Sequence, residues 1–232
     1  GNLRSSSRQL ADVYKRALNW NTSESVGAPF ETSTTYDALN RPVTMITPDR
    51  SIYRPTFNEA NLLDKVEVNL RGPVDTTLFV KNIDYDAKGQ RNMIEYGNGA
   101  RTTYTYDPLT FRLTHLKTTR DSDNLTLQDL YYTYDPAGNI THIRDEAQQT
   151  IYFRNQVVEA SAEYTYDAVY RLIEATGREH LGQTNGQPNL PTPPDWSNTF
   201  HVSKPHPQDG TAMGRYTERY RYDEVGNFLE MK

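Results

Sequence analysis

The dipeptide Tyr-Asp begins at Tyr36, Tyr85, Tyr106, Tyr134, Tyr166 and Tyr222. Phe57-Asn58 is a degenerate seventh copy, because Glu59-Ala60-Asn61-Leu62 continues the same pattern after it. The first five starts fall 21 or 28 residues apart, and the later gaps widen to 32 and 56. A period near 20–30 residues belongs to repeat architectures, in which each unit is stabilised by its neighbours rather than by a single central core.

Each copy reads as a β-hairpin. In Tyr132-Thr133-Tyr134-Asp135-Pro136-Ala137-Gly138-Asn139-Ile140-Thr141-His142-Ile143, the two tyrosines are two apart and share one strand face. Asp135 suits the first corner of a type I turn, since its carboxylate can accept backbone N–H bonds. Pro136 supplies the fixed φ of the second corner, and Gly138 can take the positive φ that follows. Ile140 and Ile143 open the returning strand with an odd spacing that fits a bulge. Asp86 to Gly89 and Asp223 to Gly226 repeat this chemistry, and Asn40 and Asn61 stand at the glycine position in two other copies. Thr110 and Tyr170 stand there in the copies led by Tyr106-Asp107 and Tyr166-Asp167, which predicts strain or another turn type. The expected turn residues are therefore Tyr36, Asp37, Asn40, Tyr85, Asp86, Gly89, Tyr106, Asp107, Tyr134, Asp135, Gly138, Tyr166, Asp167, Tyr222, Asp223 and Gly226.

A second turn class lies between copies, at Thr47-Pro48-Asp49-Arg50, Gly97-Asn98-Gly99 and Arg144-Asp145-Glu146-Ala147. Alternating turns joined by short strands make an antiparallel meander, so the chain is read as all-β.

Composition agrees with a sheet that stays wet. Only 35% of the residues are hydrophobic, yet 17 are tyrosine, and mean hydropathy is −0.82. Tyrosine packs a ring and leaves its hydroxyl in water, and with Thr, Val and Ile it favours a pleated surface over disorder. A net charge of −5 argues against nucleic acid. No apolar run is long enough for a membrane helix, so no membrane insertion is expected, and no signal peptide is visible at the N-terminus. There is no cysteine, which excludes disulfides and Cys-based zinc sites.

The pattern Y-x-Y-D-x-x-G-N/R-L/I resembles the YD repeats of Rhs proteins, teneurins and the B and C components of bacterial Tc insecticidal toxins. The stretch Tyr164-Thr165-Tyr166-Asp167 through Tyr170-Arg171-Leu172-Ile173-Glu174-Ala175-Thr176-Gly177-Arg178-Glu179-His180-Leu181-Gly182 is similar to the B-component, SpvB-related branch. The resemblance covers nearly the whole chain. It implies a sheet that spirals into a hollow shell around a toxic cargo, in a secreted or cell-surface bacterial protein. It also implies, as partners, the remaining YD repeats of the same or a companion shell-forming chain and the enclosed toxin. Gly1-Asn2-Leu3 matches Gly138-Asn139-Ile140, so both chain ends are expected to be cuts inside a longer array. The self-cleaving core signature of the Rhs families is not seen; Asp135-Pro136-Ala137-Gly138 resembles it only superficially.

Some segments break the pattern. Leu10, Val13, Tyr14, Ala17 and Leu18 recur at helical spacing within Ser5 to Trp20 and allow a short helix there; an irregular strand and loop is the alternative. Residues 182–214 are a polar Gly/Pro-rich excursion. The domain reading is residues 1–34 as a partial repeat and connector, 35–181 as the hairpin array, 182–214 as the excursion and 215–232 as a final partial repeat.

Chemistry is sparsely offered. His201 and His206 provide two ligands where a metal needs three or four, and His115 and His142 read as strand residues. Asp84 and Asp86 could share a strand face as a carboxylate pair, but capping of turns explains the repeated aspartates together. Gly97-Asn98-Gly99 lacks the strand–loop–helix setting of a phosphate loop. No enzyme activity, catalytic residue, metal or cofactor is expected. Two functions remain: a structural shell element, and a surface binding module in which exposed tyrosines and Trp196 stack on a glycan.

Overall fold

Hydrogen-bond pairing between successive strands organises the chain. The computed structural model describes residues 2–10, 21, 27–72, 75–183, 205–206 and 208–232, and among them it forms seventeen strands and no helix. The chain divides into two units, Gly1–Thr103 with Arg120–Asp123, and Tyr104–Thr119 with Asn124–Lys232.

The first unit holds β1 (Ser5–Arg8), β2 (Phe30–Tyr36), β3 (Pro42–Ile46), β4 (Ile52–Phe57), β5 (Leu63–Asn69), β6 (Thr77–Tyr85), β7 (Arg91–Tyr96) and the start of β8 (Ala100–Tyr106). Neighbours in the sheet are neighbours in sequence, and each pair is antiparallel. The second unit holds most of β9 (Leu113–Arg120), then β10 (Leu125–Tyr134), β11 (Ile140–Asp145), β12 (Ile151–Phe153), β13 (Gln156–Val158), β14 (Ser161–Tyr166), β15 (Leu172–His180), β16 (Met213–Tyr222) and β17 (Phe228–Met231). Here the meander skips two strands: β11 pairs with β14, and β12 and β13 form a separate hairpin.

Few side chains are fully buried. Val68, Ile83 and Ile94 in the first unit, and Val158, Ala175 and Ala212 in the second, are the buried apolar residues among those described. Ile83 sits opposite Ile94 across β6 and β7. Most strand residues are half-buried on alternate positions, as in β6 and β16. Stability in such a sheet comes from backbone pairing and cross-strand neighbours more than from a deep core.

The structure decides four readings. Ser5–Arg8 is strand β1, not the start of a helix, because its backbone pairs with Phe30–Ser33; Leu10 is exposed, and residues 11–20 lie outside the described ones. Thr110 does not take the left-handed position in its copy; Phe111 does, at φ 59°. Arg144–Ala147 does not turn the chain back beside β11. Asp145 and Glu146 instead bond to Ala160 and Asp129, and the chain leaves to make the β12–β13 hairpin first. Finally, the second turn class is not a separate backbone shape. Arg50 and Gly99 lie at φ 65° and 83°, and their amides bond back to Thr47 and Tyr96 as in the Tyr-Asp turns.

The polar excursion begins after β15, which reaches His180, and ends before β16, which starts at Met213. Met213 and Gly214 are therefore strand residues, paired with His180 and Glu179. Residues 184–204 and 207, including His201 and Trp196, lie outside the described residues.

A ladder of turns as the candidate functional site

Each Tyr-Asp turn is built from its aspartate outward. In the Tyr134 copy, Gly138 N–H donates to the Asp135 carbonyl at 3.1 Å, and Asp135 N–H donates to the Asn139 carbonyl at 2.9 Å. Asp135 Oδ1 accepts from the Gly138 and Asn139 amides at 2.7 and 2.9 Å. Asp37, Asp86, Asp167 and Asp223 also accept at Oδ1, from the amides two and four residues on. Asn58 does so in the degenerate copy. The aspartates thereby fill donors that a tight turn leaves open.

In six of the seven copies the fifth residue, counted from the Tyr or Phe, is left-handed. Gly89, Gly138 and Gly226 lie at φ 81°, 109° and 93°, and Asn40 and Asn61 at 62° and 64°. Tyr170 takes φ 65° with a full side chain, a conformation that costs backbone energy outside Gly and Asn. The Tyr106 copy is one residue longer: Asp107 N–H reaches the Arg112 carbonyl, and Asp107 Oδ1 accepts from the Leu109 and Thr110 amides and the Thr110 hydroxyl. Beside six of these turns the register slips. Thr133 faces His142 but Tyr134 faces Ile140, and the hairpins led by Tyr36, Phe57, Tyr85, Tyr166 and Tyr222 slip at the same place. This bulge accounts for the odd spacing of Ile140 and Ile143.

In five of the six Tyr-Asp pairs the tyrosine bonds an earlier segment of the chain. Tyr36, Tyr85, Tyr134, Tyr166 and Tyr222 donate their hydroxyls to the carbonyls of Leu3, Leu63, Leu113, Ile140 and Leu172, at 2.6–2.9 Å. Leu63, Leu113, Ile140 and Leu172 are the first residues of β5, β9, β11 and β15, the returning strands of the preceding hairpins, and Leu3 lies just before β1. Phe57 has no hydroxyl to offer to the hairpin before it.

Arginines run the connection the other way. Arg112 lies over the Tyr134 ring, 5.6 Å from its centroid, and donates to the Asp135 carbonyl at 3.1 Å. Arg171 lies 5.0 Å over Tyr222 and donates to the Asp223 carbonyl at 3.1 Å. Arg41 lies 4.9 Å over Phe57 and donates to Asn61 Oδ1 at 2.7 Å. Such stacking adds roughly 0.5–1 kcal/mol at an exposed site. In copies with Asn139 and Asn227 at this position, the amide instead closes onto its own aspartate at 2.8 Å. A side chain at Gly138 would also intrude here, because its Cβ would fall 2.7 Å from the Arg112 guanidinium.

Hydrogen bonding sets the charge state of the turns. The Arg41 amide first, then its guanidinium, holds the Asp37 carboxyl below the usual range. The Thr110 amide does so for Asp107, the Asn139 side chain for Asp135, the Arg171 amide for Asp167 and the Asn227 side chain for Asp223. Burial pushes the Tyr134 and Tyr166 phenols up, which keeps them as donors.

One cluster carried no sequence signal. Asp129 is buried and accepts from His115 Nε2 at 2.5 Å and Lys117 Nζ at 3.0 Å. Burial alone would raise its pKa, but the bonds from His115 and Lys117 outweigh that and hold it low. His115 stacks on Tyr131 with centroids 4.2 Å apart. His142 lies in β11, and Asp84 is bonded by Asn82 while Asp86 caps its turn, so that pair is not convergent. Among the described residues no three His, Asp or Glu side chains gather as a metal site would need.

Capped, left-handed turns joined by tyrosine and arginine across successive hairpins define a YD-repeat β-meander. The chain fits the Tc toxin family, whose subunits carry Rhs/YD repeats. Toxin subunit YenC2 of Yersinia entomophaga is 35% identical over 207 residues, and toxin subunit YenC1 of the same organism is 35% identical over 186. These matches take in 88% and 78% of this chain but 20% and 18% of the relatives, so the chain spans about a fifth of their length. The crystal structure of TcdB2-TccC3-Cdc42 superimposes with a TM-score of 0.69 at 33% identity, covering all of this chain and 11% of that one. A Photorhabdus luminescens Tc holotoxin pore structure gives 0.69 at 34% identity, covering 10% of its chain. No family model matches the chain.

Proposed function

We propose that this chain is a non-enzymatic stretch of wall in an Rhs/Tc-type shell, with residues 35–181 as its main hairpin array. The observation that carries this reading is the tyrosine ladder. Five tyrosines spend their hydroxyls on main-chain carbonyls of the neighbouring hairpin, so the repeated residue is used to join hairpins edge to edge. A surface assembled this way extends without converging side chains on a reacting centre. The partners that suit it are further YD repeats, of the same or a companion chain, and an enclosed toxin, in a secreted or cell-surface assembly.

The test uses the full-length subunit with its companion chain. Replacing Tyr134, Tyr166 and Tyr222 together by Phe should let protease reach an enclosed C-terminal segment that the wild-type assembly protects. Unchanged protection with a demonstrably weakened sheet would sink the wall reading. Glycan binding has thinner support. Tyr152 and Tyr170 are 76% and 63% exposed, but one sits on the β12–β13 hairpin and the other on a turn, not in a row. A glycan array on the chain tests that alternative.

A further inference from the structure

We propose that His180 is an acid-sensitive clamp at the end of the β15–β16 hairpin. Its Nε2 lies 2.7 Å from the Asp209 carbonyl oxygen, and its Nδ1 lies 3.1 Å from the Gly182 amide nitrogen. A carbonyl can only accept and a backbone N–H can only donate. The two partners therefore fix one state of the ring: neutral, with its proton on Nε2 and a bare Nδ1. A second proton has one place to go, Nδ1, where it faces the Gly182 N–H head-on.

The surroundings leave the ring little room to yield in place. A Cβ at Gly182 would fall 2.4 Å from the Pro205 carbonyl oxygen and 3.1 Å from His180 Cε1, so glycine is what permits this approach. The same end is closed by Leu181 N–H to the Ala212 carbonyl at 2.9 Å, with Ala212 fully buried. His206 also accepts an amide at its Nδ1, from Gln208 at 3.2 Å.

The charged groups around the clamp say where a protonated ring would turn. Arg178 and Glu179 precede His180 on β15, and Arg215 faces Arg178 from β16. From residues 205–212 the ring meets His206 and Asp209. The Asp209 carboxylate is occupied by the Thr211 amide and hydroxyl at 3.0 and 2.7 Å. Those bonds, the hydroxyl first, hold it ionised, and the two histidines add to the effect. It is the negative charge to which a new Nδ1–H would swing. Acid thus exchanges the Gly182 contact for a carboxylate contact and loosens the segment that Asp209 anchors.

The test is amide hydrogen exchange on the whole chain at about pH 7.5 and about pH 5.5. After correction for intrinsic rates, acid should speed exchange at Gly182 and residues 208–212 about tenfold, while the Tyr166–Leu172 turn stays unchanged. His180→Gln, which cannot take a proton in this range, should lose the pH dependence. No acid effect in the wild type, or an equal effect in His180→Gln, overturns the proposal. Should that variant fail to fold, imidazole nitrogen shifts of the wild type at about pH 7.5 decide: an Nε2–H tautomer supports the clamp, and an Nδ1–H tautomer overturns it.

Discussion

The Tyr134 hydroxyl lies 2.7 Å from the Leu113 carbonyl, where the preceding hairpin's returning strand begins. Removing that hydroxyl leaves a half-buried acceptor unfilled. Tyr134→Phe should cost about 1 kcal/mol in urea denaturation, the ordinary net value of a neutral hydrogen bond. Phe57→Tyr is the reverse experiment, because that copy lacks the donor by nature. It should raise the urea midpoint if the new hydroxyl reaches its neighbour, and Tyr134→Phe without loss would remove the ladder's energetic basis.

Gly138 is left-handed at φ 109° and faces Arg112, whereas Ala137 is an ordinary turn residue. Gly138→Val should lose about 1–3 kcal/mol through backbone strain, and Ala137→Val should lose little. Asn40→Gly should be near neutral, and Asn40→Val costly. Thermal melts of the four variants compare them directly.

The non-glycine left-handed positions give the opposite sign. Tyr170 and Phe111 lie at φ 65° and 59°, so Tyr170→Gly and Phe111→Gly should relieve strain of up to about 1 kcal/mol, less any packing lost. Thr110→Gly should not, since Thr110 has an ordinary φ and gives its hydroxyl to Asp107. Stabilisation by Thr110→Gly and not by Phe111→Gly would show that the turn is wrongly placed.

The capped aspartates make stability acid-sensitive. Asp37, Asp107, Asp135, Asp167 and Asp223 all have lowered folded pKa values. A lowered folded pKa contributes stability that is present above the unfolded value, near 3.9, and is lost as pH falls through the folded one. The urea midpoint should therefore drop between about pH 5 and about pH 2. Asp135→Asn should flatten part of that drop while keeping the turn, as Asn58 does in its own copy.

At the alkaline end Tyr220 behaves differently from the ladder tyrosines. Its hydroxyl donates to Glu218 at 2.5 Å, and that bond, followed by burial, pushes its pKa up to about 12. Absorbance titration should show a late-ionising phenol that Tyr220→Phe or Glu218→Gln removes. A raised folded pKa means the associated stability is complete below the unfolded value near 10 and is lost as pH rises through the folded one.

The turns were the legible part of the sequence, because their chemistry is local. Asp135, Pro136 and Gly138 name their corner without help from the rest of the chain. The all-β meander followed from repeating that corner. Partners beyond the hairpin were not readable. Tyr134 meets Leu113 through a main-chain atom, which no side-chain pattern advertises. Arg41, Arg112 and Arg171 stood in the repeat pattern, but their reach toward the next turn depends on strand order. His115 and Asp129 are joined across β9 and β10 with no motif at either end. The displaced left-handed residue at Phe111 follows from one extra residue in that turn, which the fixed spacing of the other copies concealed.

The acceptors of the ladder belong to the main chain, so any residue can supply them, and the link does not depend on what lies between donor and acceptor in sequence. Tyr85 reaches back 22 residues, Tyr166 reaches 26 across the β12–β13 hairpin, and Tyr222 reaches 50 across the long excursion, with similar bond lengths. Closing a longer loop costs only slightly more entropy. Inserted segments can therefore accumulate between copies while the joints stay as they are. Such a chain can lengthen by insertion without rebuilding the joints between its units.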